Sequence, residues 1–290
     1  MAKRNRSGVG CAMLAMAVLV LCAPASAQPA APAVSPALTA QDWAQVARLP
    51  ELNGLWLPDP LDKAFLSGPA GPAWTPRAAA EVAKMQAEDA AGRPRNIFIN
   101  CLPEGMPSYL IMTLNALEIL TTPGRVTWLG EFDPNRMRRI YTDGRGHPED
   151  PDLTFNGHSV GRWEGEVLVV DTVALLPQVY LPLGQSVGVP NNGGMHLVER
   201  IRLTGPDTLQ DELVIEAPKV LTAPWRVVRT FHRTRRRSDH IVEASCRRGD
   251  FTEAVDADGD AVFAAVAKDD GGALFADAPA AAPPPERVPR

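Results

Sequence analysis

From Val126 onward, hydrophobic and polar positions alternate with a period of two. Val126, Trp128 and Phe132 interleave with Thr127 and Glu131. The same rhythm returns in Arg138 to Tyr141, Glu166 to Val173, His196 to Leu203, Leu209 to Glu216, Trp225 to His232 and His240 to Cys246. Alternation over four to eight residues marks strands with one buried face. Several are separated only by short turns such as Gly205-Pro206-Asp207, with no room for the helical crossovers a parallel sheet needs. The pattern predicts an all-β fold, an antiparallel meander of about six to eight strands. Closing it into a barrel would protect its edges.

Ahead of the strands the rhythm becomes helical. Thr75 can cap a helix, Pro76 suits its first turn, Ala78 to Ala91 are mostly good helix formers, and Gly92 can end it. A second helix is predicted over Ala40 to Ala47. The fold is therefore expected to carry one or two N-terminal helices.

The ends bound the domain. Residues 1–27 read as an export signal: Lys3, Arg4 and Arg6, an apolar run from Cys11 to Cys22, then Ala25-Ser26-Ala27 as a cleavage site. Residues 28–38 form an Ala/Pro linker, residues 39–255 a single domain, and residues 256–290 a tail expected to be disordered. The mature product is expected in the periplasm or secreted, with no transmembrane segment. Cleavage leaves Cys101 and Cys246, which in an oxidising compartment most simply form one disulfide. If unstrained, it would contribute about 4–5 kcal/mol in the chain-entropy model. A formal charge of -5 argues against nucleic acid as a partner.

The loop between Tyr141 and Glu166 is crowded with Asp, Gly, His, Pro and Asn, the composition of a functional loop on a rigid scaffold. Within it, Gly157-His158-Ser159-Val160-Gly161 matches the G-x-S-x-G nucleophile elbow. That elbow needs an apolar strand before the serine and a helix after it. Here a polar loop precedes and a strand follows, so a serine hydrolase is disfavoured. His147, His158 and His196 lie in or beside loops at what could be one barrel end, but none shows short metal-ligand spacing, and no metal or other cofactor is assigned.

The best physical clue is single charges on otherwise apolar strand faces. Glu199 shares a face with Leu197, Ile201 and Leu203; Asp211 with Leu209, Leu213 and Ile215; Arg229 with Trp225, Val227 and Phe231. If those faces line the barrel, the three charges must pair in a low-dielectric interior. A different register at the Gly205 turn would instead set Arg202 against Asp211 at the surface.

Two resemblances add to this. Asn53-Gly54-Leu55-Trp56 resembles the G-x-W opening of lipocalin and calycin barrels. That likeness implies that Trp56 packs on an Arg from a late strand, with Arg226, Arg229 and Arg233 as candidates. The middle of the chain resembles a family of exported bacterial proteins of uncharacterised activity. The likeness is carried by Asp143-Gly144-Arg145-Gly146-His147-Pro148, Trp163-Glu164-Gly165, Leu168-Val169-Val170-Asp171-Thr172, His196-Leu197-Val198-Glu199-Arg200 and Pro224-Trp225. It implies export and no particular reaction.

These observations predict a lipocalin-like barrel that holds a small, partly apolar molecule. Glu199, Asp211 and Arg229 would orient its polar end, with Trp163 and Trp225 as apolar walls. An alternative is a cofactor-independent isomerase, lyase or hydrolase in which His147 or His158 works with Glu199 or Asp211 as an acid–base pair. A third is an envelope interaction protein with a filled core.

Overall fold

The computed structural model describes residues 37–241, apart from 61, 63–65, 67–69, 98–101 and 132–136, together with 253–255 and 261–263. Cys101 and Cys246, and with them the expected disulfide, lie outside the described residues, as do the export signal and most of the tail.

Both predicted helices are present. Helix α1 (Ala40–Val46) is capped by Thr39, whose hydroxyl accepts from the Asp42 backbone while the Asp42 carboxylate accepts from the Thr39 backbone. Helix α2 (Pro76–Ala90) has Thr75 at its cap and buries Ala78, Val82 and Met85. A single turn, α3 (Ser108–Ile111), is wholly buried.

The strands are β1 (Gly54–Pro58), β2 (Leu117–Thr122), β3 (Arg125–Gly130), β4 (Met137–Tyr141), β5 (His158–Glu164), β6 (Val167–Val173), β7 (Tyr180–Pro182), β8 (Gly188–Pro190), β9 (His196–Gly205), β10 (Thr208–Glu216), β11 (Trp225–Thr234), β12 (Glu253–Val255) and β13 (Ala261–Phe263). Nine of them close into a barrel in the order β1-β11-β10-β9-β6-β5-β4-β3-β2. The pairs β7–β8 and β12–β13 stand apart as two-stranded sheets. Strand β13 falls within the segment expected to lack structure, where Ala-Val-Phe is a short apolar run that can pair.

The barrel departs from a pure meander at one seam. Strands β4 and β5 run parallel and register at only two positions, Ile140↔Ser159 and Tyr141↔Val160. Strand β5 itself was not predicted; its residues read as loop because Gly157, Gly161 and Arg162 interrupt the alternation.

Period two places the charges. Register shifts between Thr208 and Leu209, and Asp211 then stands opposite Ile201 rather than Arg202. Arg202 instead meets Gln210 and Glu212 on the outer surface. Glu199, Asp211 and Arg229 are all buried, alongside Trp56, Trp128, Ile140, Val170, Ile201 and Phe231, each with no exposed surface. Among the described residues, these side chains pack together in the barrel's hydrophobic core.

Of the three candidate arginines, Arg233 lies over Trp56, its guanidinium carbon 4.4 Å from the ring centroid. It also donates to the carbonyls of Asn53 and Glu51, tying the last barrel strand to the entry of the first.

Candidate functional site

Two polar systems occupy opposite faces of the same stretch of barrel wall. Strand alternation separates them: Ser159 and Thr172 turn inward, whereas their neighbours His158 and Asp171 turn outward.

The inner system centres on Arg138 of β4, which is not among the three charges expected inside the barrel. Its guanidinium meets Glu199 through both terminal nitrogens, at 2.7 Å for Nη1–Oε1 and more closely for Nη2–Oε2. It also donates to Ser159 Oγ at 3.2 Å and Thr172 Oγ1 at 2.9 Å, and those hydroxyls lie 2.8 Å apart. Burial disfavours the Arg138 charge, but the Glu199 carboxylate outweighs it and holds the guanidinium protonated. Asp211 lies against Glu199. Burial, followed by the Glu199 charge, pushes its acid well above the usual carboxylate range, against the opposing pull of Arg138 and Arg229. Neither Asp211 oxygen has a hydrogen-bond partner among the described residues, so nothing but the two arginine charges offsets the cost of ionising it there. Arg229 is buried too, yet it donates to the backbone carbonyls of Asp62 and Thr113, and Glu199 takes its guanidinium from Arg138 instead.

The outer system is a chain of five titratable side chains. His158 Nδ1 lies 2.8 Å from His147 Nδ1. His147 Nε2 lies 2.8 Å from Asp171 Oδ1, and Asp171 Oδ2 lies 2.9 Å from His196 Nε2. His196 Nδ1 then reaches Glu216 Oε2 at 3.1 Å. The chain follows β5, β6, β9 and β10 across the outside of the barrel.

The bonding restricts the tautomers. A carboxylate only accepts, so His147 donates to Asp171 through Nε2. With His147 neutral, its Nδ1 is a lone pair and His158 donates to it through its own Nδ1; with His147 protonated, the roles in that contact reverse. His158 Nε2 is left as a lone pair with no hydrogen-bond partner among the described residues. Desolvation, then His147 and Arg145, holds the His158 pKa below the ordinary histidine value. His196 lies between two carboxylates. Desolvation opposes its charge, but the hydrogen bonds to Asp171 and Glu216 outweigh it and raise its pKa. Desolvation likewise works against the Asp171 charge, and the bonds from His196 and His147 prevail and lower its pKa.

Around His158 the surroundings are aromatic and cationic. Tyr141 stacks on it with centroids 5.5 Å apart, and the Arg145 guanidinium, held by Asp143, lies over the Tyr141 ring at 4.2 Å. A groove of about 620 Å³ lies beside them. It is lined by Met137 to Arg139 and Tyr141 of β4, by the loop from Asp150 to Gly157, and by His158 and Ser159 at the start of β5. That volume falls in the range of small-molecule sites.

The structure thus joins His147 and His158 to each other and to Asp171, rather than to Glu199 or Asp211, which face the opposite side of the wall. Ser159 is not a nucleophile at an elbow. It lies inside a strand, buried and held by Arg138. Trp225 is buried and donates to the Ala70 carbonyl, and Trp163 packs on the core; neither lines the groove. The His147–His158 contact has hydrogen-bond geometry: with centroids 5.0 Å apart, both nitrogens sit close to the line between the rings. Among the described residues no group of three or more His, Cys, Asp or Glu is placed to hold a metal ion.

Two site residues were missed in the sequence. Arg138 shares the face of Ile140, two positions along β4, and that alternation is the signal that would have placed it inside. Asp171 interrupts an outward row of Val167, Val169 and Val173.

No family model and no curated protein matches the chain.

Proposed function

We propose that the protein is a cofactor-independent acid–base enzyme, an isomerase, lyase or hydrolase, acting on a small molecule in the groove beside His158. The observation that carries this is the fixed order Asp171–His147–His158. His158 Nε2 is a free base with a depressed pKa at the edge of a cavity of suitable size. When Nε2 takes a proton from a substrate, the Nδ1 proton of His158 can pass to His147. The positive charge then rests on a ring already bonded to the Asp171 carboxylate, which stabilises it. Such a relay lets a weak base act as a stronger one while the charge develops.

Binding without turnover is the second reading, and the groove itself supports it. The packed barrel interior leaves the groove as the better place for a ligand than the centre expected of a lipocalin-like binder. Export to the periplasm through the N-terminal signal remains part of the proposal, on the sequence alone.

The test is a proton NMR screen of small carbonyl compounds, hydroxy acids and esters in deuterated buffer, with native mass spectrometry for binding. The proposal predicts that at least one class exchanges a proton or is converted, and that His158→Gln lowers the rate about 10²–10⁴-fold. Binding with no conversion supports the second reading. Conversion that survives His158→Gln overturns the assignment.

A further inference from the structure

We infer that Arg138, inside the barrel, is the positioning residue for the histidine relay outside it. This rests on the reading of His158 as the working base, although its geometry can be tested without any substrate.

His158 is paired with Val173 of β6, bonded to His147 and stacked on Tyr141, but towards β4 its strand is sparsely held. It begins β5, at the β4–β5 seam, where only Ile140↔Ser159 and Tyr141↔Val160 are in register. The residue before it, Gly157, has φ +67, and a Cβ there would lie 2.5 Å from the Val173 carbonyl oxygen. Chain entry is therefore tight, but it fixes only one side of His158. On the other side stands Ser159, and Ser159 is fixed by Arg138.

The guanidinium spans four strands. It starts from β4, donates to Ser159 on β5 and Thr172 on β6, and closes on Glu199 of β9. Ser159 and Thr172 are register partners and are bonded to each other at 2.8 Å. Each is one residue from a member of the relay: Ser159 follows His158, and Thr172 follows Asp171. Along a strand, adjacent side chains share a rigid backbone and point to opposite faces. Holding Ser159 against Thr172 inside therefore holds His158 in line with Asp171 outside, at the offset that His147 bridges. The strong bond to Glu199 supplies the anchor, since a bidentate arginine–carboxylate pair is directional as well as strong.

The experiment compares three variants in histidine-labelled protein by nitrogen-15 NMR. Thr172→Val keeps shape and loses the hydroxyl. Thr172→Ser keeps the hydroxyl and loses a methyl. Ser159→Ala removes the other hydroxyl and serves if the valine variant does not fold. Positioning by Arg138 predicts that Thr172→Val and Ser159→Ala raise the His158 titration midpoint towards the ordinary value. It also predicts that they speed solvent exchange of the His158 Nδ1 proton on the order of tenfold. Thr172→Ser should match wild type. The inference is overturned if folded Thr172→Val or Ser159→Ala keeps the wild-type midpoint and exchange rate, or if Thr172→Ser disturbs them as much as Thr172→Val. Failure here would leave the role of His158 untouched, because that role is read from substrate conversion in the His158→Gln variant.

Discussion

His147 and His158 face each other through their Nδ1 atoms at 2.8 Å, and only one of the two can bring the proton. Asp171 decides which. By accepting from His147 Nε2, it makes a neutral His147 the acceptor and His158 the donor in that contact.

Replacing Asp171 with Asn should release that choice. An amide can present either an oxygen or a donor to His147, so both tautomers become accessible. It also removes the charge that stabilises a protonated relay. His158 should then bind its second proton roughly tenfold more weakly, the scale of one charge-assisted hydrogen bond. Titration of the His158 ring signals checks this; an unchanged midpoint would show that Asp171 and His158 are not coupled.

Inside the barrel, the two buried arginines should differ in what they hold. Arg138→Met leaves the Glu199 carboxylate buried without its partner and should cost about 3–5 kcal/mol. Arg229→Met strands two backbone carbonyls and should cost less, about 1–3 kcal/mol. The double change Arg138→Met with Glu199→Leu should recover most of the first loss, because it removes both charges. Urea unfolding midpoints and slopes measure all three; equal losses for the two single variants would contradict the network described.

Much of this was legible in the chain. Glu199, Asp211 and Arg229 announced themselves because each is one charge on an otherwise apolar strand face, and all three are inside. Period two also gave β6, β9, β10 and β11 to within a few residues. What was not legible is pairing over distance. The partner of Glu199 comes from β4, 61 residues earlier, through a parallel seam that no local pattern specifies. Likewise Asp171 reads as one polar position in a valine-rich strand until folding brings His147 from the loop and His196 from β9 onto its two oxygens.

Asp211 gives a pH signature. Its acid group has a raised pKa in the folded chain, so its contribution to stability is fully present below 3.8 and is lost as pH rises through the folded value. Asp211→Asn keeps the neutral shape. It should cost about 1 kcal/mol or less in acid and remove that part of the alkaline-side decline. Thermal unfolding of both proteins across pH provides the comparison; parallel curves would mean that Asp211 is ionised in the fold.

His196 should show a decline of the same direction at higher pH. Its raised pKa gives a contribution fully present below 6.5 and lost as pH rises through the folded value. The difference in melting temperature between wild type and His196→Gln should therefore be largest in mild acid and shrink towards alkaline pH. A difference that grows with pH would refute the placement of His196 between two carboxylates.

The relay is tested most directly by the tautomer map of the histidines at neutral pH, read from long-range nitrogen-15 correlations of the wild-type protein. The account predicts a protonated Nδ1 and bare Nε2 on His158, a proton on Nε2 of His147, and protons on both nitrogens of His196. A proton found on His158 Nε2, with Nδ1 bare, would contradict it.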